Sequence, residues 1–373
     1  MLDQNISVSE IANWLREDDP NRLSTLFTVA DETRKTRVGE AVWLRGLLEI
    51  SSNCRRNCFY CGMRASRKME RYRMTRSEIL SSAEQAFRFS YGTLVIQSGE
   101  DLSLSATFIS ELILEIRERY GLTITLSLGE RSESELALWK TSGAQRYLLR
   151  FETSNATLYR RIHPLASDSL FPDRIGYLRI LRELGYEVGS GVLIGIPGQS
   201  YDDLARDLSL FRELDLDMIG CGPFLPHPST PLGTLEIQAG FWRTPASSSP
   251  RDFFSYPTTP FQVPNTNLLA YKVVALSRIL CPDANIPSTT AVATLDGRDG
   301  RKGALERGAN VIMPNVTPEK YRSLYEIYPN KSGAREDAAT TRATALRQIA
   351  EIGRFPGRGS GSSPRFLARS NAE

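Results

Sequence analysis

Three of the five cysteines in this 373-residue chain, Cys54, Cys58 and Cys61, fall within a single stretch of eight residues. Their Cys-x3-Cys-x2-Cys spacing, with Tyr60 just before the last cysteine, places three thiolates on one short loop. Such a loop can hold three corners of a cubane iron–sulfur cluster and leave the fourth iron open to a small molecule. Structural zinc is the alternative, but it needs four closed ligands. The fourth would have to come from a residue distant in sequence: Cys221, Cys281, His163 or His227.

Composition narrows the class of protein further. A net charge of +3 is too small to indicate nucleic-acid binding. The N-terminus carries no signal-peptide pattern, and no apolar run reaches the roughly 18 residues that a membrane span needs. The thiolate loop, with only two further cysteines, predicts a reducing cytoplasm rather than a disulfide framework.

Eight strand-like segments alternate with helical ones after an N-terminal helical extension at residues 1–38. The strands are predicted at 41–51, 93–98, 123–128, 146–152, 188–194, 217–225, 285–289 and 310–313. Thr75 and Glu78 form a capping box that opens the first helix of the series. The alternation predicts an α/β fold, a TIM-type (β/α)8 barrel over residues 39–354, and a six-unit partial barrel is the alternative.

Two segments interrupt this pattern. Residues 233–265 are long, irregular and rich in aromatic and proline residues, which predicts a lid or surface excursion. Residues 355–373 are rich in Gly, Ser and Arg, which predicts a disordered tail.

Polar residues gather where the predicted strands end, and barrel active sites lie at those ends. Arg150 and Glu152 lie on the same side of the fourth strand because strand side chains alternate. Arg174 could offer a two-pronged contact to a carboxylate. Thr289 and Thr290 place hydroxyls at the end of the seventh strand. His227 could act as an acid or base, although a lone histidine is more often a packing residue.

Around these strand ends the chain resembles the radical S-adenosylmethionine (SAM) superfamily and, more narrowly, the HydE family of [FeFe]-hydrogenase maturases. The similar segments are 49–62, 71–75, 97–101, 125–130, 146–153, 222–231, 286–291 and 310–329. The resemblance implies that Cys54, Cys58 and Cys61 bind one [4Fe–4S] cluster whose open iron SAM chelates. Reduction would then cleave SAM to methionine and a 5′-deoxyadenosyl radical.

The same resemblance implies roles for further residues and partners. SAM would be held by Tyr60, Gln97, Ser98, Gly99, Glu100, Ser127, Glu152 and Arg174, and the substrate cavity would include Arg150, Thr289, Thr290 and Tyr325. The implied substrate is a small iron–cysteine complex with CO and cyanide ligands. The implied partners are a reductant such as ferredoxin or flavodoxin and the other hydrogenase maturases, with no nucleic acid and no membrane.

Departures from the HydE pattern keep alternatives open. Gly333, Thr341 and Thr344 stand where many members carry a second cysteine set, so no auxiliary cluster is expected. Phe151 replaces a frequent histidine, and 233–265 is longer than usual, which affects the expected substrate. The alternatives are a sister enzyme, either a methylornithine-synthase-like mutase or, more distantly, a biotin-synthase-like sulfur inserter, and a non-enzymatic metal-binding protein.

Overall fold

A computed structural model describes residues 2–164, 174–238, 261–297 and 300–371. The strands are β1 Ala41–Ser51, β2 Thr93–Ser98, β3 Thr123–Ser127, β4 Arg146–Leu148, β5 Glu187–Ser190, β6 Leu193–Ile194, β7 Met218–Ile219, β8 Gly222–Pro223, β9 Val311–Ile312 and β10 Phe355–Pro356. The helices are α1 Val8–Arg16, α2 Pro20–Val38, α3 Arg76–Arg88, α4 Ala106–Tyr120, α5 Glu133–Thr141, α6 Ala156–Ile162, α7 Arg174–Glu183, α8 Tyr201–Glu213, α9 Pro231–Gln238, α10 Asn267–Leu280, α11 Thr290–Asp296, α12 Gly300–Leu305, α13 Glu319–Arg322, α14 Ala338–Glu351 and α15 Pro364–Ser370.

The strands form a parallel ring, which confirms the predicted barrel. Strand β1 pairs with β2 on one side and β9 on the other, and the order continues from β2 through β3, β4 and β5 to β7. Single parallel bridges from Met218 to Asn285 and from Pro287 to Val311 close the gap between β7 and β9. The predicted seventh strand therefore exists only as these two bridges.

Local sequence explains where the helices begin. Thr75, Ser132 and Ser200 each form a capping box, at the start of α3, α5 and α8 respectively. The two N-terminal helices pack outside the ring, α1 against α8 and α2 against α10. Lys272 of α10 is buried and donates to the carbonyl oxygen of Leu15 at 3.1 Å, which ties this extension to the barrel.

Two long predicted strands are interrupted. The fifth divides into β5 and β6, and the sixth into β7 and β8. The two interruptions lie side by side in the structure. A Cβ added to Gly191, between β5 and β6, would lie 2.0 Å from the carbonyl oxygen of Gly220, between β7 and β8. The two backbones thus approach too closely for a side chain at Gly191, and both strands are interrupted there. The excursion at 233–265 lies mostly outside the described residues.

The prediction of a disordered tail is wrong for the described residues 355–371. Strand β10 pairs in parallel with β1, α15 follows, and Ser363 is fully buried between them. The composition of the tail suggests too little apolar burial for order. Its backbone groups are instead hydrogen-bonded by buried side chains of the barrel, a source of order that composition does not reveal.

Candidate active site

A cavity of about 340 Å³ occupies the barrel at the carboxyl ends of the strands. We call it the barrel cavity. The residues that the family resemblance assigned to the cluster, SAM and the substrate all line it: Cys54, Cys58, Tyr60, Cys61, Gln97, Ser98, Gly99, Glu100, Ser127, Arg150, Glu152, Arg174, Thr289, Thr290 and Tyr325. Segments more than two hundred residues apart in sequence are thus brought to one space, as the parallel ring requires.

The cysteine loop leaves β1 and is fixed by backbone hydrogen bonds to three other parts of the barrel. Arg55 N donates to Glu100 O at 3.0 Å, Phe59 N to Ile162 O at 2.8 Å and Gly62 N to Ile327 O at 2.7 Å. Within the described residues, no three His, Cys, Asp or Glu side chains are arranged around a single metal ion. A cubane does not require that arrangement, because each cysteine binds a different iron.

Burial controls the protonation of the three thiols. It raises the pKa of Cys54 and Cys61, and it raises the pKa of Cys58 to about 12. The backbone N–H of Glu100 also points at the Cys54 sulfur, at 3.4 Å. Metals bind the thiolate, so loading this loop must release protons, and binding is expected to tighten as pH rises.

Gly99 allows the turn after β2 to contact the cysteine loop. A Cβ at this position would lie 2.2 Å from the carbonyl oxygen of Asn53 and 2.8 Å from Cys54 Cβ. No side chain fits in that space without moving the backbone. The glycine of the Ser98-Gly99-Glu100 element therefore sets the distance between β2 and the first cysteine.

The carboxylate of Glu100 is already engaged by the protein. Its Oε1 accepts from Arg55 Nε at 2.6 Å, and its Oε2 accepts from Glu130 N at 3.0 Å. A side-chain contact between Glu100 and SAM would have to share these oxygens. In the structure, this carboxylate braces the cysteine loop against the turn after β3.

A second buried network was missed by the sequence analysis. Glu130 Oε1 lies 3.1 Å from Arg174 Nε and 3.5 Å from Arg56 Nη2. Arg174 also donates to the carbonyl oxygen of Arg150 at 2.7 Å. The spacing of Glu130 and Arg56 carries no local signal, because their contact forms only when β3 and the cysteine loop meet.

Glu152 adopts a left-handed backbone conformation, with φ of 67°, although it is buried and is not a glycine. Its carboxylate pairs with Arg150 Nη2 at 2.9 Å and lies 3.4 Å from the hydroxyl of Tyr60. Non-glycine residues in this conformation are strained, and such strain collects at functional sites. The observation supports a functional role for Glu152.

Tyr60 is also bonded to a histidine. Its hydroxyl lies 3.0 Å from His163 Nε2, and His163 Nδ1 lies 3.3 Å from the carbonyl oxygen of Tyr159. A carbonyl can only accept, so Nδ1 carries the proton and Nε2 accepts from Tyr60. Burial, with the nearby Arg174 and Arg56, holds the pKa of His163 well below its usual value, and burial raises the pKa of Tyr60. Both side chains are therefore neutral.

Glu49 and Lys331 add a buried ion pair to the cavity wall. The Lys331 ammonium contacts Glu49 Oε1 and lies 4.9 Å from the ring centroid of Tyr325. Glu49 Oε2 accepts from Asn315 Nδ2 at 3.0 Å. The sequence analysis proposed neither residue for the site. Glu49 faces inward as part of the alternation along β1, which is the one signal that could have revealed it.

Two residues singled out in the sequence analysis, Phe151 and His227, do not line the barrel cavity. Phe151 packs in the core against Phe211, with ring centroids 5.7 Å apart. Phe151 therefore does not form part of the cavity wall. His227 is a packing residue, since its Nδ1 accepts from Ser229 N at 3.0 Å and its Nε2 lies 3.2 Å from Glu326.

The cavity wall has polar atoms to offer a charged ligand. Among the described residues that line the cavity, Arg56 Nη1 and Arg150 Nε are buried without a hydrogen-bond partner. Buried polar groups normally have partners, so these atoms favour a polar ligand beside the cysteine loop. The carboxylate at the amino-acid end of SAM is an acceptor that suits these two donors.

Comparison with known proteins agrees with this site. The family model for the radical SAM superfamily matches residues 48–211. The [FeFe] hydrogenase maturase subunit HydE of Thermotoga maritima is 43% identical over 343 residues, which cover 92% of this chain and 89% of that protein. The 3-methylornithine synthase of Methanosarcina acetivorans is 25% identical over 310 residues, covering 82% and 79%.

Solved structures share the fold. The crystal structure of methylornithine synthase PylB superposes with a TM-score of 0.73 at 23% identity, covering 98% of this chain and 96% of that one. HydG, a maturase of the [FeFe]-hydrogenase, gives 0.76 at 18% identity, covering 98% and 77%. Fold and site together define a radical SAM enzyme. Within that class, the chain belongs to the HydE family.

Proposed function

We propose that this protein matures the [FeFe]-hydrogenase, acting with a SAM-derived radical on a small iron–cysteine complex that carries CO and cyanide. The observation that carries the proposal is the cysteine loop at the mouth of the barrel cavity, in a chain 43% identical to a HydE. When bound, a cluster on Cys54, Cys58 and Cys61 would supply the electron that cleaves SAM to methionine and a 5′-deoxyadenosyl radical.

The chain's own residues would do the positioning. Arg174, Glu152 and the polar atoms beside them would orient the amino-acid end of SAM, and Tyr60, on the cysteine loop, would place its hydroxyl beside Glu152. Arg150, Thr289, Thr290 and Tyr325 would hold the substrate in the same cavity. The closed barrel wall would exclude water from the radical.

Further parts of the proposal concern partners and location. Within the described residues no helix could cross a membrane. The thiolate loop fits a reducing compartment, and we propose the cytoplasm, with ferredoxin or flavodoxin as the reductant and the other hydrogenase maturases as partners. The chain lacks the second cysteine set, so we propose a single cluster.

Anaerobic reconstitution tests the cluster. We expect about four irons per chain, because three thiolates imply one site-open cubane. The Cys58→Ala variant should lose the iron and the formation of 5′-deoxyadenosine, whereas Cys281→Ala, a buried cysteine outside the cavity, should retain both. Fewer than two irons, or one zinc per chain, would contradict the proposal.

The SAM site is tested by removing the Glu152 carboxylate. Glu152→Ala should weaken SAM binding to the reconstituted protein, as measured by calorimetry. Unchanged affinity would assign Glu152 a structural role.

A methylornithine-synthase-like mutase is the second candidate, because that enzyme matches this chain over most of its length. Lysine supplied to the reduced, SAM-loaded protein discriminates the two. Consumption of lysine with formation of methylornithine would favour the mutase. A gene neighbourhood with a hydrogenase and two further maturases would favour HydE.

A further inference from the structure

The barrel cavity extends below the site, towards the amino ends of the strands. Side chains of β1 alternate, and its inward-facing residues Glu49, Leu47 and Arg45 all line the cavity. Two residues further down, Trp43 faces the C-terminal segment: a Cβ built on Gly361 would lie 2.5 Å from its ring. TIM barrels are normally filled with layers of side chains. Here the chain's own tail takes the place of the lowest layer.

Residues 359–363, which we call the floor segment, are held through their backbone. The carbonyl oxygen of Ser360 accepts from Thr93 Oγ1 and from Arg146 Nη2, both at 2.9 Å. The N–H of Ser363 donates to Glu187 Oε1 at 2.9 Å. These contacts come from β2, β4 and β5, so the segment is bonded to several strands around the ring.

The carbonyl oxygen of Gly361 lies directly below the cavity. It accepts from Arg45 Nη2 at 3.0 Å and from Asn285 Nδ2 at 2.9 Å. Both donors also line the barrel cavity, and both are buried. The Gly361 peptide group is therefore bonded directly to two side chains that line the cavity.

The charges below the cavity depend on this segment. Arg45, Arg146 and Glu187 are at most 4% exposed, and only Arg146 and Glu187 pair with each other, at 2.6 Å. Buried charged groups are costly unless their hydrogen bonds are satisfied. The floor segment supplies acceptors to both arginines and a donor to the glutamate. Loss of the segment would expose these groups to water and open a route into the cavity.

We propose that the floor segment is a seal, inserted by the chain into the lower end of its own barrel, so that the barrel cavity opens only at the cysteine end. The seal would keep water and dioxygen from entering behind the reacting groups. This last role depends on the proposed radical chemistry, whereas the closure of the cavity does not.

Two glycines of the floor segment provide a matched pair of variants. Gly361 and Gly359 both have left-handed backbones, with φ of 58° and 89°. An added methyl group meets Trp43 at Gly361 but nothing within 4 Å at Gly359. Gly361→Ala should therefore release the segment, whereas Gly359→Ala adds similar backbone strain without the clash. Hydrogen exchange of peptides covering 355–371 reports the release.

A cysteine placed at Val95 measures access to the cavity without requiring a cluster. Val95 lines the barrel cavity and is 2% exposed. Two cluster-free double variants are compared: both carry Val95→Cys, one with Gly361→Ala and the other with Gly359→Ala. A small methanethiosulfonate should label the introduced cysteine at least several-fold faster in the variant with Gly361→Ala. Peptide mass mapping separates this label from those on the native cysteines. Equal labelling rates, with the segment shown to be released, would overturn the proposal.

Truncations provide a second route if Gly361→Ala does not fold or keeps its tail in place. Ending the chain after Gly357 removes the floor segment, and ending it after Ser363 removes only α15. Labelling of Val95→Cys should accelerate in the first and not in the second. Equal rates in two folded truncations would again overturn the seal.

The reconstituted full-length protein tests the consequence for chemistry. With SAM bound, dioxygen should bleach the cluster several-fold faster in Gly361→Ala than in Gly359→Ala. If Val95→Cys is labelled faster with Gly361→Ala but the cluster is bleached at the same rate in both glycine variants, the floor segment closes the cavity without protecting the cluster. That result would overturn the protective role. A wild-type chain that binds no iron would refute the proposed function but would not affect the labelling result.

Discussion

At the scale of single residues, the stability of the cavity wall depends on the ion pair between Glu49 and Lys331, because each charge balances the other. Glu49 is 1% exposed, so removing its cation leaves a buried, unpaired carboxylate. Lys331→Met should lower the free energy of unfolding by about 3–5 kcal/mol. Glu49→Gln combined with Lys331→Met should recover most of that loss, as measured by urea denaturation.

A lysine outside the cavity gives the control for this comparison. The Lys272 side chain is 4% exposed, against 8% for Lys331, but its partner Asp18 has a side chain that is 83% exposed and can return to water. Lys272→Met should therefore cost less than Lys331→Met. A double variant as unstable as Lys331→Met alone would show that lost packing, and not the unpaired charge, is responsible.

The buried carboxyl group of Asp207 makes the stability of the folded protein depend on pH. Burial raises the pKa of this carboxyl, which accepts from Ser154 N and Oγ at 2.5 Å, to about 7 from an ordinary 3.8. Because the folded pKa exceeds the unfolded one, its contribution to stability is complete below pH 3.8 and is lost as pH rises through about 7. Up to about 4 kcal/mol is at stake over that window.

Asp207→Asn tests this assignment. The amide keeps an oxygen for Ser154 but does not titrate, so stability measured by urea denaturation between pH 5 and pH 8 should vary less than in the wild type. Asp202→Asn is the control, since it removes an exposed carboxylate of the same helix. An unchanged pH profile in Asp207→Asn would rule out Asp207 as the titrating group.

At the scale of elements, the turn after β2 determines whether the cysteine loop can form. Gly99→Ala would bring a methyl group to 2.2 Å from Asn53 O, so β2 and the loop must separate. Iron bound after reconstitution should fall severely while the far-ultraviolet circular dichroism stays near that of the wild type. Gly220→Ala is the control within the same cavity, because its nearest contact would be an ordinary 3.7 Å. Full iron content in Gly99→Ala would contradict this role.

The elements also show what local patterns can predict. The capping box at Thr75 and the strands β1, β2 and β3 match their predictions closely, because caps and alternation are local signals. The fifth and sixth strands are interrupted where Gly191 meets Gly220, and α14 was not predicted. Such differences arise from contacts between elements, which no short window of sequence contains.

At the scale of the whole molecule, binding of the cluster and of SAM is expected to stabilise the folded state. A ligand that binds only the folded state stabilises it by about 2.7 kcal/mol at one hundred times its Kd. SAM should therefore raise the Tm of reconstituted wild-type protein and have a much smaller effect on Cys58→Ala, which lacks the open iron. An equal increase in both would show that SAM binds without the cluster.

The sequence by itself predicted the thiolate chemistry of the cysteine loop and determined the barrel that presents it. Three ligands within eight residues need only a loop, and strand–helix alternation is repeated along the chain. Only the tertiary structure decided that Glu100 braces the loop, that Phe151 lies outside the cavity, and that the tail closes the barrel. Lys331 and Glu49 are 282 residues apart, and polar contacts over such separations exist only after folding brings the strands into a ring.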